Sequence, residues 1–200
     1  MKQMLRQLGI LVSVIILFSS SSKAEQPYMH GGVKYFNYGL TSEDLQTINT
    51  SLVNLGFASS TSSTDNAGWG FEIGLGYNVS DNYAIEGSYV DLGTLTIKTN
   101  LTGPTENITT DITGHSFAGG VKAKFGSDTE HFFVRGGIHS WELNSKVTSS
   151  LGVSSDPLGS GTDPWGGVGF QWDMLNVSYD MYKLGTSDVT SFTLGVNYKF

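Results

Sequence analysis

Cysteine is missing from this sequence altogether. Its absence excludes a disulfide scaffold, a thiolate metal site and lipid attachment through an N-terminal thiol. Charge is scarce as well: Asp, Glu, Lys and Arg make up 14% of the residues, against roughly 25% in soluble domains. Cations are the scarcer sign, 11 against 18 anions, and so acidic a chain is a poor match for nucleic acid. Long apolar runs are missing too. The longest, Leu8 to Phe18, covers 11 residues, well short of the ~20 that span a bilayer as a helix.

That run follows Lys2 and Arg6 and is followed by the small residues of Ser22-Lys23-Ala24. A basic start, a short apolar core and small residues at the cleavage positions read as a secretory signal peptide over residues 1–24. One mature domain, residues 25–200, is expected to start at Glu25. With Lys2, Arg6 and Lys23 removed, 8 basic residues face 18 acidic ones, a net charge of -10.

What the chain does have is glycine, 26 residues, and aromatics, 12%, arranged with period two. In FTLGVNYKF, residues 192–200, Phe192, Leu194, Val196, Tyr198 and Phe200 alternate with polar or small residues, so an extended chain has one greasy face. In Trp69–Tyr77 the large face is Trp69, Phe71, Ile73, Leu75 and Tyr77, while the other is three glycines and Glu72. A soluble ligand-binding barrel hides its large face and shows charges. Lipid outside and a narrow polar lumen inside account for both faces. The 176 residues after the signal, at ~20 per strand and connection, give eight strands. The fold class is all-β, an eight-stranded antiparallel up-and-down transmembrane β-barrel.

Further strands are expected from Met29, at Tyr83–Leu92, Ile112–Phe125, Phe132–Leu143, Trp165–Trp172 and Leu175–Leu184. Residues 41–56 break the alternation, placing Leu45, Ile48, Leu52 and Leu55 at helical spacing. Thr41 with Asp44 forms a capping box and Gly56 stops the helix. This is a short amphipathic helix in the first long loop, expected to pack on the barrel rim because an isolated helix of two or three turns is marginal in water. Loop two, through TNLTGPTEN to about Thr110, and loop three, Ser145 to Asp163, read as irregular from their Ser, Thr, Gly and Asn content. Long and short connections alternate, which puts the long ones outside the cell and the termini in the periplasm.

Inward positions collect ionisable side chains: Lys34, Glu72, Glu86, Lys122, Lys124, Arg135, Asp180 and Lys199. They line a conductive path or fill the lumen as paired packing. A narrow eight-stranded barrel and the cost of an unpaired buried charge favour packing. His115-Ser116 and His139-Ser140 invite an esterase reading, but adjacent strand residues point to opposite faces. His30 and His131 lack ligand-spaced partners. No enzyme activity, metal or cofactor is expected.

The stretches GYNVSDNYAIEGSYVDLG (76–93), VKAKFGSDTEHFFVRGG, GGVGFQWD and FTLGVNYKF together resemble the OmpA transmembrane-domain family of small outer-membrane barrels. The resemblance covers most of residues 28–200 outside the long loops. The peptidoglycan-anchoring role of the domain that follows in OmpA is not expected here. The resemblance implies a lumen ion-pair network in which Glu86, Lys124 and Arg135 match. An acid of the family pattern is Gly169 here and a base is Ser178, so the network is expected to be rewired through the other inward charges. It also implies that the closing strand, with Tyr198 and Phe200, is read by the barrel insertion machinery. The resulting expectation is a structural or interaction protein of the Gram-negative outer membrane, meeting lipid, lipopolysaccharide and an extracellular partner through its loops. A small channel for ions or hydrophobic solutes is the alternative, and a lipid-modifying enzyme the third reading.

Overall fold

The computed structural model describes residues 26–103, 105–127 and 129–200; the signal peptide read at residues 1–24 lies outside them. Its elements run β1 (Pro27–Asn37), α1 (Ser42–Asn54), β2 (Ser59–Asp65), β3 (Ala67–Asn78), β4 (Tyr83–Thr102), β5 (Glu106–Gly126), β6 (Glu130–Ser149), β7 (Gly152–Trp172), β8 (Leu175–Leu184) and β9 (Ser187–Lys199). All pairings are antiparallel: β1 pairs with β3 and with β9, β2 and β3 with β4, the later strands with their sequence neighbours, and β4 with β5 closes the ring. Strands β2 and β3 pair with successive stretches of one partner, β4. They form a single stave, so the barrel has the eight staves that the alternation predicts. No helix among the described residues is long and apolar enough to cross a membrane; a barrel crosses with strands.

Alternation sorts the side chains as expected over the lower part of the ring. Met29, Val33 and Tyr35, then Phe71, Ile73 and Leu75, and Phe192, Leu194 and Val196 all point outward and are exposed. So large a continuous apolar surface is unsuited to water. Aromatics gather at both limits of this band. Tyr83, Phe125, Phe132, Trp172, Tyr198 and Phe200 mark the short-turn end, and Tyr35, Trp69 and Phe117 the other.

Two loop expectations are corrected. Strand β4 continues to Thr102 and β5 begins at Glu106, while β6 runs to Ser149 and β7 starts at Gly152. The stretches read as irregular loops are therefore hairpins, paired from Thr94↔Thr113 to Leu101↔Glu106 and from Leu143↔Gly159 to Ser149↔Gly152. With β2 they form a wall rising above the apolar band, whereas β1, β8 and β9 stop at its level. Hydroxyl content misled the reading, because Thr and Ser serve a water-facing strand as well as a loop.

The wall begins at an irregularity. The β4–β5 register shifts between Asp91 and Thr94, where Gly93 takes φ +77. Its N–H donates to Asp91 Oδ1 at 2.7 Å, and Tyr38 Oη donates to the Leu92 carbonyl at 2.8 Å. A Cβ on Gly93 would lie 2.7 Å from the Trp69 carbonyl oxygen, so this close backbone approach requires glycine.

Helix α1 has the expected cap: the Thr41 N–H donates to Asp44 Oδ2 at 2.8 Å and the Asp44 N–H to Thr41 Oγ1 at 3.2 Å. It packs on β2, where Ser60 and Ser62 donate to Asn49 Oδ1 at 2.9 and 2.8 Å. Leu45, Ile48 and Leu52 are half-buried. Leu55, expected on the same stripe, is exposed, because the helix ends at Asn54 and the chain turns away through Gly56 at φ +104.

Candidate functional site

Six strands send one ionised side chain each into the middle of the lumen. Lys34 on β1 lies 2.8 Å from Asp180 Oδ2 on β8 and 2.9 Å from Glu72 Oε2 on β3. Arg135 on β6 spans the lumen. Its Nε and Nη2 donate to the two Asp180 oxygens at 2.9 Å, and Nη1 and Nη2 to the Glu72 oxygens at 3.2 and 3.1 Å. Lys122 on β5 is 3.4 Å from Glu86 Oε1 on β4, which also accepts the Tyr28 hydroxyl at 2.6 Å. Three cations thus face three anions, all buried, with Lys34 and Asp180 at 0% exposure. Bidentate guanidinium contacts and extra hydroxyl donors from Ser178 and Thr193 to Asp180 offset the desolvation that makes buried charge costly.

Two sequence-predicted members sit apart. Lys124 donates to Asn78 Oδ1 at 2.9 Å near the short-turn mouth, and Lys199, at the end of β9, lines the same mouth and is exposed. Parity placed both on the lumen side, but their position one or two pairs from the turns keeps them at the rim. At the positions where the family pattern has an acid and a base, the Phe133 ring fills the space over Gly169, and Ser178 hydrogen-bonds the network.

Above the charges the lumen becomes apolar. Phe36, Val90, Leu92, Ala118, Trp165, Tyr182 and Val189 pack as one cluster. Trp165 and Tyr182 stack with centroids 6.0 Å apart, and the Arg135 guanidinium lies 5.2 Å from the Trp165 ring. Cavities lining the charged part measure about 10 Å³ at His30, Glu86 and Arg135 and about 20 Å³ at the short-turn mouth. Each is of the order of a single water.

The histidines fall where strand parity places them, with one contact that the parity argument missed. His115 points outward beside Tyr89 and Phe117, its Nε2 3.8 Å from Glu142. His131 sits at the short-turn mouth, its Nδ1 3.1 Å from the Ser127 carbonyl. Neighbours in sequence do diverge, but Ser116 on β5 meets His139 on β6 across the strands, Oγ to Nδ1 at 2.8 Å, while Nε2 is 2.8 Å from the Lys183 carbonyl. Nε2 must donate to that carbonyl, so Nδ1 accepts the serine proton. Ser116 and His139 are 0% and 1% exposed, so the pair ties β5, β6 and β8 together with no surface open to a substrate. Register, which a single strand's alternation does not carry, is the signal that would have found it.

Residues 10–200 match the outer membrane protein β-barrel domain family. The chain belongs to that family. Bacterial outer-membrane barrels carry short turns on the periplasmic side and longer connections outside the cell. Among solved structures the chain is similar to the attachment invasion locus protein Ail of Yersinia pestis, with TM-score 0.53, 16% identity, and coverage of 88% of this chain and 99% of Ail. It is also similar to the outer membrane protein OprG of Pseudomonas aeruginosa, with TM-score 0.54, 10% identity, and coverage of 90% and 98%. At these identities the likeness is one of fold. No curated protein sequence matches the chain.

Proposed function

We propose that this protein is a non-enzymatic surface-contact barrel, whose plugged transmembrane part anchors an extracellular β-wall that meets partners outside the cell. The observation that carries this reading is the pairing of a lumen filled by balanced charges and an aromatic cluster with strands β4 to β7 prolonged well beyond the apolar band. A conducting barrel needs the lumen; a presenting barrel needs the wall. Ail, an attachment invasion locus protein crystallised with a heparin analogue, offers a precedent for ligand binding on this fold. Within the family, the motif resemblance to the OmpA transmembrane domain is retained as the finer placement. Export by residues 1–24, contact with lipopolysaccharide, and delivery to the insertion machinery through the Tyr198 and Phe200 strand belong to the same reading.

The test is to compare wild type with a chain in which the β4–β5 and β6–β7 hairpins are shortened to Gly93–Thr113 and Leu143–Gly159 turns. Attachment of expressing cells to epithelial monolayers is expected to fall for the shortened protein, and wild type in planar bilayers is expected to be nearly silent. Steady wild-type conductance with unchanged attachment would favour the channel reading instead.

A further inference from the structure

The outer side of the wall contains a hollow of about 400 Å³, lined by Ser63, Thr64, Asp65, Ala67, Thr94, Thr96 and Lys98. Its origin is the irregularity at Gly93. Between Asp65 and Phe71 the β2–β3 stave has one residue more than β4 has between Asp91 and Thr96, so the two backbones part and re-pair. The next outward side chain after Ala67 is Trp69, 69% exposed and backed by Tyr35 with centroids 5.0 Å apart. Trp69 belongs to the upper aromatic band, so the hollow lies just on the water side of the outer leaflet.

We propose that this hollow binds an uncharged saccharide. Its volume is within the ~300–1,000 Å³ of small-molecule sites, and its lining matches the mixed donors and acceptors of a sugar ring. The Asp65 carboxylate accepts, the Lys98 ammonium donates, and the Ser63 and Thr94 hydroxyls do either. Thr96 already donates to Asp111 Oδ1 at 2.7 Å, which fixes its hydroxyl as an acceptor towards the hollow. Trp69, the next outward side chain along the stave, is exposed and offers apolar indole surface beside the hollow for the C–H side of a pyranose. Asp65 and Asp111 are offset by Lys98 and by Lys146, which stands opposite Asp111 in the register. With no net positive charge the hollow has no draw for sulfated or phosphorylated sugars. This deepens the surface-contact reading and rests on it, since the hollow must face outward beyond the outer leaflet.

Detergent-folded wild type on an array of uncharged and sulfated glycans is expected to retain uncharged glycans. Binding is expected to be at least tenfold weaker in D65A/K98A and weakened in T96V, with folding of each variant checked by heat-modifiable gel mobility. Protein in nanodiscs identifies the source. If binding is lost only in lipopolysaccharide-containing discs, sugars of the protein's own membrane fill the hollow; if binding is equal in phospholipid discs, the glycan comes from elsewhere. No uncharged glycan bound, equal binding by folded D65A/K98A and T96V, or a preference for sulfated glycans overturns the proposal. No glycan bound by a wild type whose attachment still depends on the hairpins would leave the surface-contact reading standing while removing this one.

Discussion

Strand β4 passes through two solvents, and its two halves use the same alternation in opposite senses. Up to Asp91 its odd positions, such as Tyr83, Ile85 and Tyr89, look outward to lipid, and Glu86 and Val90 look into the lumen. Beyond Gly93 the odd positions Leu95, Ile97 and Leu101 are buried on the inner side, and Thr94, Thr96 and Lys98 look outward to water. The odd positions are the more apolar ones on both sides of Asp91 and Gly93; the bulge exchanges their faces. The membrane half is thus a sheet turned inside out relative to a soluble one, and the wall is an ordinary sheet with its apolar side in.

The sharpest way to break the contrast is to unbalance the lower half alone. Arg135→Ala leaves Glu72 and Asp180 buried beside one lysine and is expected to destabilise the barrel by about 3–5 kcal/mol. Urea unfolding of the protein in micelles, followed by tryptophan fluorescence, gives the number. A midpoint equal to wild type would mean that water already solvates the network.

The outer faces of the two halves separate next. Ile73→Arg, on the lipid side of β3, is expected to cost about 2–4 kcal/mol if it lies near the midplane. Asn100→Arg, outward on the wall, is expected to stay within about 0.5 kcal/mol of wild type. Equal losses would show that the wall also sits in lipid. Gly93→Val, at the exchange point itself, forces a branched side chain into positive φ and is expected to cost about 1–3 kcal/mol. Hydrogen exchange should place that loss in residues 94–102 ahead of 83–90.

The smallest effect belongs to α1. The Thr41 N–H bonded to the Asp44 carboxylate holds its pKa below the ordinary value, with the Thr41 hydroxyl adding to the effect. A depressed folded pKa means that the cap's contribution is complete above the ordinary carboxylate range and fades as pH falls through the folded value. Amide exchange of the first helical turn should therefore quicken on acidification while the lumen strands stay protected. Exchange independent of pH after correction for intrinsic rates would show that the cap adds nothing.

Much of this was readable from the residues. The lipid face, the capped helix and the inward direction of Lys34, Glu72, Glu86, Lys122, Arg135 and Asp180 follow from period two and period 3.6. Partner choice did not follow: whether Glu86 meets Lys124, or Lys122 as found, depends on register and on which way each stave leans. The wall was hidden for another reason. TLTIKTNLT alternates except at Thr99, but its polar half is threonine, lysine and asparagine, which composition assigns to loops. Pattern and composition disagreed there, and the pattern matched the structure.

The order in which the six lumen charges occur along the chain bears on assembly. The β3–β4 hairpin brings Glu72 and Glu86, both negative, and the next hairpin, β5–β6, brings Lys122 and Arg135, both positive. Each is repelled from within and attracted by its successor, so consecutive hairpins have an electrostatic reason to zip together in chain order. What remains is Lys34 on β1 and Asp180 on β8, the two strands that flank β9. Their 2.8 Å contact reaches across β9, which pairs with both strands, and so ties the two sides of the ring's closing seam to each other.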